Sequence, residues 1–125
     1  KILKTEEPCT FMDEPAVLLP LNWQKDLTIS AMITDFEEMS RREGVSESAL
    51  APARRVLNIC ATIRFSLHKE AFKSPGSLQK VLVPVFPTIE DVRKAAEDMA
   101  KFKEMIRLFG VFQNAFEMTL EEKKS

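Results

Sequence analysis

Tyrosine is absent from this 125-residue chain, histidine occurs once, and there are only three glycines and two cysteines. Each shortage removes a class of chemistry. Glycines at 44, 76 and 110 are too scattered for a GxGxxG turn or a Walker A loop, so the standard phosphate-cradling motifs are missing. Cys9, Cys60 and His68 are too few for a structural zinc site. Phe65 stands three residues before His68, where a di-iron bundle would place a glutamate. No EF-hand loop occurs, and Glu37-Glu38 and Glu121-Glu122 read as solvated faces. Ser66 and His68 lie two apart, so on a helix they do not face each other as a nucleophile and its base. The expectation is a protein without catalytic activity, metal or cofactor.

Long apolar runs are missing too. None reaches the roughly 18 residues of a membrane span. Two cysteines do not make a disulfide framework, and Cys60 is expected as a buried thiol with Cys9 free near the terminus. The start Lys1-Ile2-Leu3-Lys4 is too short to be a signal-peptide core and no glycosylation sequon occurs, so the reading favours an intracellular setting. A formal net charge of -1 argues against a large global positive field, though not against a local basic patch. Apolar residues at 45% and charged residues at 30% nevertheless suit a globular chain of one domain.

Phenylalanine, proline and methionine are plentiful, at nine, seven and six. Pro8, Pro15 and Pro20 mark residues 1–21 as an extended arm whose apolar stretch, 16–21, packs on its own domain. Residues 22–125 are expected to form an all-α domain, a small bundle of three long helices plus one or two short ones. The first helix runs from Trp23 or Leu27 to Glu43, capped by Asn22 or Asp26 and ended by Gly44. The second starts near Ser48 to Pro52 and continues to about Phe72 on a stripe of Val56, Cys60, Ile63, Leu67 and Ala71. A short turn within 77–82 precedes a stiff connector at 83–87. Thr88 and Asp91 then open a last helix that passes through Gly110 to about Glu122, with Val92, Ala95, Met99, Phe102, Ile106 and Phe109 as its stripe.

Between 105 and 116 this helix is apolar around most of its circumference, so it requires cover on more than one side. Surplus apolar surface points to a non-catalytic protein–protein interaction or assembly domain, with self-association as the commonest form. The candidate partner-binding residues are Leu18, Leu19, Phe65, Phe72, Phe109, Phe112 and Phe116. An alternative is a nucleic-acid-associated domain gripping phosphates through Arg41, Arg42, Arg54, Arg55, Lys69 and Lys73, with the last two sharing a side of the second helix with Arg55. That alternative is disfavoured by interleaved Glu70 and by the lack of a Tyr or Trp stacking platform. A carrier of an apolar ligand lodged among Phe and Met side chains is a third reading.

Overall fold

The computed structural model describes residues 5–116. Their order is β1 (Glu7–Phe11), β2 (Glu14–Leu18), α1 (Trp23–Arg42), α2 (Glu47–Ser66), β3 (Leu67–Phe72), β4 (Lys80–Pro84), α3 (Ile89–Glu97) and α4 (Met99–Phe116). Helix makes up 60% and strand 19%, so the molecule is a mixed α and β fold and the all-α expectation is corrected. One antiparallel sheet runs β1-β2-β3-β4. Its inner face carries Leu18 beside Leu67, both fully buried under α2, α3 and α4. Its outer face carries Pro8, Val17, His68 and Pro84 in adjacent cross-strand positions.

Of the arm expected over 1–21, residues 7–18 are in fact a β-hairpin built into this sheet. Met12 and Asp13 form its two-residue turn, both with positive φ (51° and 66°), the pattern whose twist suits adjoining antiparallel strands. Asp tolerates that conformation well. Met does not signal it, and the usual Asn-Gly or Asp-Gly pair is missing.

The second helix ends at Ser66, not Phe72, and residues 67–72 become β3. Leu67 and Ala71 lie four apart, a spacing that repeats on one face of a helix and equally on one face of a strand. The stripe therefore could not distinguish the two. Pairing with β4 along its whole length decides it, aided by the short junction with β2. Likewise 80–84 is a strand where a helical turn and connector were expected.

The start and stop signals around the helices fare better. Asn22 Oδ1 accepts the Lys25 amide at 2.9 Å. At the other end of α1, Gly44 (φ 86°) donates to the Arg41 carbonyl and Val45 to that of Ser40, the paired bonds of a Schellman stop. Thr88 and Asp91 make a complete capping box at α3.

The last helix is broken once. Asp98 leaves the helical conformation (φ -88°, ψ 120°) and its carboxylate accepts the Lys101 amide at 3.1 Å, so it starts a new helix. Beyond that break Met105, Leu108 and Phe112 face the core, while Met99 and Ile106 of the expected stripe are exposed. Gly110 is passed without interruption, and the expected extension to Glu122 lies outside the described residues.

Candidate functional site

The seven candidate partner-binding residues separate in space. Leu18 and Phe112 are buried in the core. Phe109 and Phe116 pack against that core as half-buried neighbours, and Phe116 meets Phe112 edge-on at 5.2 Å. Leu19 is half-buried, its carbonyl accepting the Ser66 hydroxyl at 2.7 Å. Phe65 lies between two cations, with Lys25 Nζ at 4.5 Å and Arg64 Cζ at 4.8 Å from its ring centroid. Phe72 alone of the seven is exposed, at 59%. Apart from the exposed Met99 and Ile106, the apolar surface of the last helix is thus covered within the domain by α2, α3, Phe86 and the N-terminal hairpin.

Exposed apolar side chains occur on α1 (Trp23, Leu27 and Met39), and also on an element that sequence periodicity did not reveal. The β3–β4 hairpin joins the sheet only at its base, where Val17 pairs with His68 and Leu18 with Leu67. From Lys69 to Leu82 it is an arm, closed at its tip by Gly76 with φ 80°. Phe72, Leu78 (94% exposed) and Leu82 lie on this arm. Lys80 Nζ sits 5.5 Å from the Phe72 ring and 3.9 Å from Glu70, which fixes charge around the aromatic without covering it. The available signal was the run Lys73-Ser74-Pro75-Gly76, a turn flanked by two short apolar stretches.

Beside the arm is a notch of about 940 Å³ between the two hairpins. Pro15 marks where the two hairpins part. Antiparallel register continues from Val17–His68 to Pro15–Glu70, the next pair that would exchange hydrogen bonds. Pro15 has no N–H, and pairing stops there. Phe11, Ala16 and Val85 line the inner part of the notch, Pro8 and Val17 the outer, with Lys69, Lys101, Glu14 and Glu70 around them. Cys9 also lines it; burial raises its thiol pKa, partly offset by nearby Arg107. Cys60, deeper in the core, is raised by burial alone, and both thiols are free.

The candidate basic residues are dispersed over two regions. Arg41 is bound between Glu37 (3.1 Å) and Glu47 (2.7 Å), which raises its pKa and lowers that of Glu47. Arg54 Nε lies 2.9 Å from the same Glu37, off-line for a hydrogen bond. Arg42 is at the end of α1, and Arg55 edges an open groove of about 540 Å³ between α1 and α2. Asp26 and Asn58 share that edge, while Phe109 and Phe112 line its apolar part. Lys69 and Lys73 belong to the arm, not to α2, so they do not share a helix face with Arg55.

Among the described residues no group of three or more His, Cys, Asp or Glu is placed to hold a metal ion, and no helix is long and apolar enough to cross a membrane. Comparison with protein families, with curated proteins and with solved structures returns no match for this chain.

Proposed function

We propose that the chain is a non-catalytic protein-interaction module whose docking element is the β3–β4 arm. This moves the binding surface from the helical Phe stripe to a hairpin. The observation that carries the reading is the exposure of Phe72, Leu78 and Leu82 together on one projecting element, while the Phe residues of the last helix pack within its own domain. Apolar side chains held out in water contribute little to the isolated fold, and burial against a partner recovers about 25 cal/mol per Å². The charged residues between them, Lys73 and Lys80, supply the polar rim that such surfaces use for specificity. The free thiols of Cys9 and Cys60 favour an intracellular setting.

The test needs no known partner. Phe72→Thr combined with Leu78→Ser keeps strand and turn propensities acceptable. It is expected to leave denaturant unfolding within about 0.5 kcal/mol of the parent, as surface substitutions do. A loss of more than about 2 kcal/mol would place these side chains in the structural core and end the interaction reading.

A further inference from the structure

We propose that the partner of the arm is a second copy of the chain, the arm of each protomer entering the notch of the other to close a two-fold dimer. The inference rests on the arm being the docking element. Charge points to the occupant. From Thr5 to Asn22 the chain has Glu6, Glu7, Asp13 and Glu14 and no lysine or arginine, and Glu6 and Glu14 line the notch. The arm carries Lys69, Lys73 and Lys80 against the single acid Glu70. In the notch the acids Glu6, Glu14 and Glu70 face Lys69 and Lys101, so its acidic side is the β1–β2 wall, which is complementary to the Lys73 and Lys80 half of the arm between copies.

Backbone chemistry points the same way. The outer edge of β1 is guarded by Pro8, which lacks a donor, and by Arg107, whose guanidinium donates to the Thr10 carbonyl at 2.8 Å. The outer edge of β4 carries Lys80 and Pro84, both edge-protecting residues. The inner edge of β3 has no such guard: beyond the Val17–His68 pair, the N–H and C=O groups of Glu70, which lines the notch, have no strand partner. The notch has the volume of an ordinary binding cleft, for which about 300–1,000 Å³ is usual.

Arm and notch also share β3 as a common wall. Two complementary surfaces that adjoin on one protomer meet their counterparts together across a two-fold axis, so the contact closes as a dimer and does not run on as a filament.

The experiment is sedimentation equilibrium of the full chain at low and high salt, with two charge-reversed variants. Glu6→Lys with Glu14→Lys reverses the wall; Lys73→Glu with Lys80→Glu reverses the arm. All four sites are exposed, and circular dichroism checks that each variant folds. The expected result is a parent dimer weakened by salt, each variant alone dissociating at least about tenfold more readily, and a one-to-one heterodimer on mixing the two. A parent that stays monomeric overturns the proposal. So does a dimer indifferent to both variants, or a mixture that does not re-form one. A monomeric parent with the Phe72/Leu78 variant still fully stable removes only the second copy as partner; a destabilised Phe72/Leu78 variant removes the docking arm itself.

Discussion

Ser66 is the residue on which the helix-to-strand change turns. It is fully buried, its hydroxyl donates to the Leu19 carbonyl at 2.7 Å, and its own carbonyl accepts the Leu19 amide at 2.9 Å. His68 Nδ1–H donates to that same carbonyl at 2.9 Å. A buried polar group that loses its partner forfeits its desolvation, so Ser66→Ala is expected to cost about 1–3 kcal/mol in urea unfolding. A neutral result would show that the Leu19 carbonyl finds another donor and that the junction does not depend on this hydroxyl. Ser66 could be noticed in sequence only as a small polar residue within an apolar stripe. Its role depends on Leu19, 47 residues away in the chain.

At the scale of elements, legibility followed the range of the interactions. Asn22, Gly44, Thr88 and Asp91 act on backbone groups a few residues away, and each lies where its type predicts. Asp98 is a signal of the same local kind, overshadowed by the apolar pattern on either side. The strands were less legible because the Met12-Asp13 turn is not a usual turn pair, the Leu67 and Ala71 spacing suits helix and strand alike, and the β2–β3 join that builds the sheet links residues distant in sequence. Pro15 makes this testable. Pro15→Val restores a donor opposite Glu70, so the β2–β3 ladder should lengthen by one pair and amide exchange at Glu70 should slow. Unchanged exchange there would mean that packing beneath the hairpins, and not the missing N–H, holds the notch open. In the dimer proposed above, the same substitution narrows the notch and weakens association.

Across the whole molecule, the first and last described elements are clamped together by charge. Glu104 accepts the Met12 amide at 3.2 Å and the Arg107 guanidinium at 2.7 Å, and Arg107 reaches on to the Thr10 carbonyl. Hydrogen bonding from Arg107 holds the Glu104 carboxyl below its ordinary pKa, with the Met12 amide adding to the effect. A carboxyl whose pKa is lower folded than unfolded adds stability above the unfolded value, and that stability is lost as pH falls through the folded one. The parent should therefore melt higher than Glu104→Gln at neutral pH, with the gap closing on acidification. A gap that persisted in strong acid would assign the difference to packing instead of charge. Because both side chains are partly exposed, salt should narrow the gap as well.

The separation between what sequence settled and what it left open has a single physical basis. Helix caps, the Schellman stop and the existence of α1 and α3 depend on contacts within about one helical turn, and composition was enough to indicate a globular chain. Whether 67–72 continued a helix or joined a sheet depended on β2 and β4. Whether the Phe stripe was core or surface depended on how much of it α2, α3 and the hairpin would cover. An apolar side chain has the same transfer free energy whether it is buried by its own domain or by a partner, so sequence registers the demand for burial without saying what meets it. Tertiary structure made that choice: it buried Phe112 and left Phe72 in water.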